Sequence, residues 1–243
     1  MSTLETTITN KTVLVTGANR GIGRALVDEA LRRGAERVYA GTRRLLAHPD
    51  PRVTPVILDV TDPAHIQAAV ERVGALDVLI NNAGVLLFDD LSDRARIEQH
   101  MAVNFFGPYG VTQAFLPLLT RSHGAVVNVL SLAALASLPI TPAYSISKAA
   151  AFSLTQSLRA LLAGQGIRVH AVLAGPVDTE MTRDFAIPKA DPASVARAVF
   201  DGIEAGEDDI FPDPLSASLA PSWHNGPVKG LERENAALLA GAA

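Results

Sequence analysis

The chain contains no cysteine. That absence excludes disulfide staples, thiol nucleophiles and cysteine-ligated zinc. Its six histidines, at positions 48, 65, 100, 123, 170 and 224, lack the spacing of a metal site. Charge is scarce as well: 19% of residues are charged, and 21 basic against 25 acidic side chains leave a net charge of −4. A mildly negative protein is not built to coat nucleic acid or an anionic membrane. One uncharged run, Gly124–Ser147, has the length of a membrane span, but Asn128, Pro139, Pro142 and several hydroxyls interrupt it. Its valine-rich start reads as a buried strand. Met1–Asn10 carries Glu5 and no apolar core, so it reads as a flexible polar tail and not a secretory signal. These absences point to a soluble, intracellular, cytoplasmic protein.

What is present is apolar. At 48% hydrophobic over 243 residues, the chain is not disordered and can bury a large core, about 70% of its unfolded surface by area scaling. Short β-branched runs alternate with helical patterns from end to end. Strands are expected at Thr12–Thr16, Arg37–Gly41, Thr54–Leu58, Leu76–Asn81, Ala125–Leu130 and Ile167–Ala174, with a short apolar run at Asp209–Pro212. Helices are expected at Gly21–Arg33, Asp62–Val73, Ser92–Leu119 (bent near Gly107–Pro108), Ala143–Ala163 and Ala193–Glu204. Uniformly apolar strands separated by helices imply a parallel sheet covered on both faces. With right-handed crossovers this gives an α/β fold, a doubly wound Rossmann-type sheet of about seven strands. Residues 11–212 are expected to form one dinucleotide-binding catalytic domain. Residues 213–243 form a tail with a short helix, Leu231–Leu239, belonging to the same domain.

The first strand runs into Thr16-Gly17-Ala18-Asn19-Arg20-Gly21-Ile22-Gly23. A glycine-rich turn between strand and helix brings backbone N–H groups close to a phosphate, with the helix dipole behind them. Gly17 allows the tight turn, Gly21 the close approach and Gly23 the packing of helix on strand. The alternative is an ordinary glycine-rich turn. The second strand ends at Gly41-Thr42-Arg43-Arg44, with no carboxylate to hold a ribose 2′-hydroxyl. Arg43, helped by Arg20, instead suits a 2′-phosphate, because guanidinium forks match phosphate oxygens. Tyr144 and Lys148 stand four apart on one helical face, and Ser131 closes the fifth strand, where open α/β sheets place their ligand crevice.

With these motifs in order, the sequence strongly resembles the short-chain dehydrogenase/reductase family, in its small single-domain branch. The likeness is carried by TGANRGIG, Asp59-Val60, Asn81-Asn82-Ala83-Gly84, Asn104, Ser131, Tyr144-Ser145-Ile146-Ser147-Lys148 and Gly175-Pro176-Val177-Asp178-Thr179, over about residues 10–205. It implies an enzyme, an NADP(H)-dependent carbonyl reductase with an Asn104–Ser131–Tyr144–Lys148 tetrad. Tyr144 would be the general acid/base, its pKa lowered by Lys148 and oxidised nicotinamide. Ser131 would orient the carbonyl, and Lys148 would also hold the nicotinamide ribose. Asn104 would prop a water linking Lys148 to solvent through the helix backbone. The cofactor site would comprise Gly17, Asn19, Arg20, Gly21, Ile22, Gly23, Thr42, Arg43, Asp59, Val60, Asn81, Ala83, Gly84, Tyr144, Lys148, Pro176, Val177 and Thr179.

The pattern departs from the family at Leu130, where a second serine is common, and at Ala174, where proline is. The span Thr179–Asp191 is short where many relatives carry a longer lid. An open pocket lined by Val85, Leu86, Leu135, Leu138 and Phe185 would then favour apolar or aromatic carbonyl or alcohol substrates. Dimerisation or tetramerisation through the long helices is expected. Trp223 and His224 either cover the pocket or belong to an exposed or self-packed tail, and the tail is the reading adopted. Two other functions compete: a secondary-alcohol dehydrogenase working oxidatively with NAD(P), and a non-catalytic NADP-sensing protein.

Overall fold

The computed structural model describes residues 7–240, and residues 1–6 of the expected tail lie outside them. Seven strands form one parallel sheet in the order β3-β2-β1-β4-β5-β6-β7. They are β1 (Thr12–Thr16), β2 (Arg37–Thr42), β3 (Val53–Ile57), β4 (Val78–Asn81), β5 (Ala125–Val129), β6 (Arg168–Val172) and β7 (Asp209–Ile210). The helices are α1 (Gly21–Arg32), α2 (Pro63–Val73), α3 (Arg94–Met101), α4 (Gly107–Ser122), α5 (Pro142–Leu162), α6 (Pro192–Ala205), α7 (Pro214–Ala217), α8 (Ala220–His224) and α9 (Pro227–Ala240). Strand order reverses between β1 and β4, and at such a reversal the strand ends open a crevice. Among the described residues, no helix is long and apolar enough to cross a membrane.

Side-chain alternation sorts the core into two layers. Val13 and Val15 of β1, Ile80 of β4 and Val127 of β5 join Leu26 of α1 and Phe200 of α6 on one face. Leu14, Leu79 and Val126 point the other way, against Ile66 of α2, Phe115 of α4 and Leu158 of α5. Caps fix where helices begin. Asp62 accepts the Ala64 N–H ahead of α2, and Asp191 accepts the Ser194 N–H ahead of α6, each followed by proline at the first helical position.

The expected single helix Ser92–Leu119 is a relay of three pieces. Asp93 caps α3, a π-helical stretch covers Ala102–Phe106, and α4 runs on to Ser122. Pro108 has no N–H to return to the carbonyl of Asn104, and its ring crowds that carbonyl. The wider π turn just before it relieves the conflict.

Residues flanking the sheet at both chain ends are tied to the domain. Ile8 is fully buried in the α1/α6 layer, and its N–H donates to Glu204 Oε1 at 3.2 Å. At the other end, α7, α8 and α9 are bound to the sheet. Trp223 packs against Phe152 with ring centroids 5.7 Å apart and donates its indole N–H to Asp209 Oδ2 at 2.8 Å. Lys229, 1% exposed, bridges Asp209 at 2.8 Å and Glu232 at 2.9 Å. Arg159 of α5 pairs with the same two carboxylates. An apolar indole and a shared buried ion network hold the segment down, so Trp223 neither lies free nor covers the crevice.

Candidate active site

The crevice at the strand reversal is a groove of about 300 Å³. Its floor is the loop between β1 and α1. Gly17 and Gly21 have φ of +66° and +54°, a region open to glycine and strained for other residues. At Gly23 a Cβ would lie 2.2 Å from the Gly17 carbonyl oxygen, so nothing larger than glycine lets α1 start this close to the strand. The residue before α1, Arg20, supplies no side-chain cap. The first-turn N–H groups of the helix are therefore left for a ligand. Asn19, Arg20, Gly21, Ile22 and Gly23 all line the groove with Gly17.

A second loop clamps the first. The Thr16 hydroxyl accepts the N–H groups of Asn82 and Ala83, both at 3.0 Å. The Asn82 side chain donates to the carbonyls of Thr16 at 2.9 Å and Gly17 at 3.2 Å. Asn82, Ala83, Gly84 and Val85 line the groove, whereas Asn81 does not. Asn81 is 3% exposed, and its amide donates to Thr112 at 3.0 Å and to Asn128 at 2.9 Å beneath the site. Strand parity decides this: the last residue of β4 still faces the helix layer, and the next one reaches the crevice.

One end of the groove is polar and cationic. Thr42, Arg43, Asp59 and Val60 line it as expected, joined by Leu58 and Thr61. The Thr42 hydroxyl donates to the Arg44 carbonyl at 2.5 Å, which shapes the turn that presents Arg43. Hydrogen bonds from the Thr61 hydroxyl and N–H to Asp59 Oδ1, with a smaller contribution from the Arg43 charge, hold the Asp59 carboxyl below its ordinary range. Arg20 pairs with Glu180 across the groove mouth, a partner 160 positions away that the sequence did not signal.

The opposite end carries the hydroxyls and the amine. Tyr144 and Lys148 share one face at the start of α5 and line the groove beside Val129 and Leu130. Lys148 donates to the Val129 carbonyl at 2.9 Å, and its Nζ sits 5.7 Å from the Tyr144 ring centroid. An ammonium carries three donors, so the Val129 bond uses only one of them. Ser131, two residues past β5 and outside the groove lining, is in extended geometry, and its hydroxyl accepts the Ala133 N–H at 3.1 Å. Burial pushes the Tyr144 phenol up to about 12, against a smaller lowering by the Ser131 hydrogen bond. Burial also brings Lys148 down to about 8. In the protein alone, then, desolvation dominates at Tyr144, opposed by Ser131 and not by the expected charge of Lys148.

Asn104 lies on the π stretch, 1% exposed and outside the groove lining. Its Oδ1 accepts the Val85 N–H at 2.9 Å, and its Nδ2 donates to the Val85 carbonyl at 3.0 Å and to Ser147 Oγ at 2.9 Å. Both amide protons are thus committed to the scaffold, and the side chain braces the loop wall.

Of the 176–179 segment, only Thr179 reaches the groove, together with Glu180 and Met181, which the sequence reading passed over. Val177 is 3% exposed in the α1/α6 core layer, and the Pro176 carbonyl accepts the Ala190 N–H at 2.9 Å. Among the expected substrate residues, Val85 lines the groove and Leu86 lies half-buried in the same loop. Leu135 packs on the Phe152 cluster, and Leu138 is exposed. Phe185 meets Phe88 edge-to-face at 5.5 Å.

A protein-family model described as short chain dehydrogenase matches residues 11–189. Oxidoreductase UcpA of Escherichia coli (strain K12) is 36% identical over 227 residues, spanning 82% of this chain and 86% of that protein. Among solved structures, a short chain dehydrogenase from Burkholderia cenocepacia J2315 in complex with NADP is similar with a TM-score of 0.84. That likeness has 38% identity and covers 90% of this chain and 94% of the other. A short-chain dehydrogenase from Streptomyces avermitilis has a TM-score of 0.79 at 27% identity, over 97% and 99% of the two chains.

Proposed function

The chain belongs to the short-chain dehydrogenase family, an oxidoreductase with a Rossmann-type fold, and from that premise we propose that it is an NADP(H)-dependent carbonyl reductase acting on small apolar or aromatic ketones and aldehydes. The observation that supports this reading is one groove lined by Arg43, by the glycine loop with Arg20, and by Tyr144 and Lys148.

The donor set fits a phosphorylated dinucleotide. Free N–H groups at the start of α1 suit a pyrophosphate. β2 ends in Thr42 and Arg43 without a carboxylate, so a 2′-phosphate meets charge of the opposite sign. Two charge-assisted hydrogen bonds at ~1.5–3 kcal/mol each amount to a preference of about a hundredfold or more over the unphosphorylated cofactor. The similar Burkholderia protein was solved with NADP. With the dinucleotide bound, Asp59 would accept a hydrogen bond from the adenine amino group, Val60 would line the base, and Thr179 would face the nicotinamide end.

When bound, the reduced cofactor supplies hydride to the carbonyl carbon. The chain's own residues handle the oxygen. Ser131 donates a hydrogen bond to it and holds it toward Tyr144. Tyr144 then gives up its phenolic proton; a phenol pushed up to about 12 is fully protonated at neutral pH and ready to act as the acid. Lys148, still charged below pH of about 8, stabilises the phenolate left behind and binds the nicotinamide ribose. Asn104 and Ser147 brace this end from beneath. Exposed Phe106 on the π stretch, Tyr109 on α4, and Ile146 and Leu161 on α5 support assembly as a homo-oligomer through those helices.

Removing the proton donor tests the assignment. Tyr144→Phe is expected to abolish ketone reduction, followed as loss of NADPH absorbance, while NADPH affinity stays within twofold. A fully active variant refutes the mechanism.

A further inference from the structure

Two aromatic rings stand on segments that border the groove, without lining it themselves. Phe88 lies in the loop after β4 and Phe185 in the short segment after Thr179, their centroids 5.5 Å apart and their planes 68° apart. Val85 and Met181, a few residues before each ring, both line the groove that holds Tyr144. The ring contact therefore joins the two segments that flank the Tyr144 end.

The Phe88 side is held rigidly. Val85 is bonded to Asn104 through both its N–H (2.9 Å) and its carbonyl (3.0 Å). The Leu87 N–H donates to His100 Nε2 at 3.1 Å. That imidazole is fully buried, and its Nδ1 meets the Arg96 carbonyl at 2.7 Å, which places the proton on Nδ1 and leaves Nε2 as the acceptor. The Asp89 carboxylate accepts the Ala143 N–H at 3.2 Å at the start of α5. Backbone is thus fixed on both sides of Phe88, yet the ring itself is 56% exposed. A large ring left in water on a locked backbone is placed for a ligand and not for the core.

The Phe185 side is built differently. Its segment is closed at the base by the Asp178 N–H to the Ala190 carbonyl at 2.8 Å and the Ala190 N–H to the Pro176 carbonyl at 2.9 Å. Beyond that base it carries exposed Met181 and Ile187. One ring is fixed and its partner rides on a short loop with a firm root. Asp89, Asp90 and Asp184 adjoin the two rings in sequence, and Arg183 and Lys189 share the Phe185 segment, so neither sign of charge dominates there.

We propose that Phe88 and Phe185 form an aromatic gate that grips the ring of an uncharged aryl ketone and turns its carbonyl toward Tyr144; this deepens, and rests on, the carbonyl-reductase reading above. An aryl ring entering between them exchanges the edge-to-face contact for two contacts of the same kind. Phe88 and Phe185 are then specificity-determining residues that touch the substrate, whereas small alkyl ketones pass without needing them.

The test uses acetophenone and 2-butanone as probes with wild type, Phe88→Ala, Phe185→Ala and the bulk-preserving Phe88→Leu. Acetophenone affinity is measured by calorimetric titration of the protein–NADP+ complex, and turnover of both ketones by NADPH consumption. Each alanine variant is expected to weaken acetophenone binding at least fivefold and raise its KM in step. kcat, NADP+ affinity and kcat/KM for 2-butanone stay within twofold, and Phe88→Leu falls between. Unchanged acetophenone affinity, equal losses for both ketones, or no acetophenone binding by wild type overturns the gate. If wild type binds acetophenone and the variants do not, but no NADPH is consumed, the gate stands and the carbonyl-reductase reading falls. If reduction is normal and the variants match wild type, the reverse holds.

Discussion

Lys148→Met is expected to make the cofactor-free protein more stable at neutral pH while abolishing its activity. The displacement of Lys148 from 10.5 to about 8 is worth about 3 kcal/mol at ~1.4 kcal/mol per pH unit, the cost of keeping an ammonium among buried neighbours. Methionine removes that cost and keeps the volume, but leaves the Val129 carbonyl without its 2.9 Å donor, a loss of about 1 kcal/mol. The net gain at pH 7 is about 2 kcal/mol, or roughly 4–8 °C in Tm for a chain of this size. Above pH of about 8 the folded lysine is neutral while the unfolded one still binds its proton, so wild type gains stability with pH up to about 10.5. The advantage of the methionine variant therefore shrinks over that window, and by its upper end the missing hydrogen bond leaves the variant about 1 kcal/mol behind. Urea unfolding of both proteins at pH 7, 8.5 and 10 measures it. A variant less stable than wild type at pH 7, or a difference independent of pH, refutes the claim that burial dominates at this lysine.

Two further perturbations address other parts of the molecule. Arg43→Ala should weaken NADPH binding tenfold or more, the ~1.5–3 kcal/mol of a charge-assisted bond, while NADH affinity stays within twofold; nucleotide fluorescence titration decides it, and equal weakening of both removes Arg43 from the 2′-phosphate site. Lys229→Ala should lower unfolding free energy by about 3 kcal/mol, because Asp209, 0% exposed, then depends on Arg159 and Trp223 alone. Urea denaturation reads it directly, and an unchanged midpoint would mean that the latch is energetically idle.

Local signals carried the sheet and the phosphate loop. β1 begins and ends where its β-branched run does, and the glycines at 17, 21 and 23 sit at the strand–helix junction their spacing implies. Errors arose where burial and pairing part company. Leu76 is buried like a strand residue, but β4 starts at Val78, because the carboxylate of the intervening Asp77 binds the Thr12 N–H at 2.9 Å and Lys11 at 3.2 Å. A one-residue parity decided between Asn81 and Asn82. The anchoring of the C-terminal region left no signal of its own in the sequence, because Lys229 and Asp209 lie twenty positions apart. Only folding reveals that they bury each other. Likewise Tyr144 and Lys148 were legible as neighbours, but the balance between attraction and desolvation depends on the depth of the groove, which no spacing encodes.

The segment after Val177 is tethered on two sides at once, to the glycine loop through Arg20 and Glu180 and to the opposite wall through Phe185 and Phe88. A guanidinium that turns toward an incoming phosphate loosens its hold on Glu180, and with it one restraint on the segment that carries Phe185. Whatever free energy one occupant of the groove spends in repositioning this strip of chain, the other receives in equal measure, since linkage between two sites is reciprocal. On the proposed reading, cofactor and ketone would not be independent guests, because both would act on this one strip of chain.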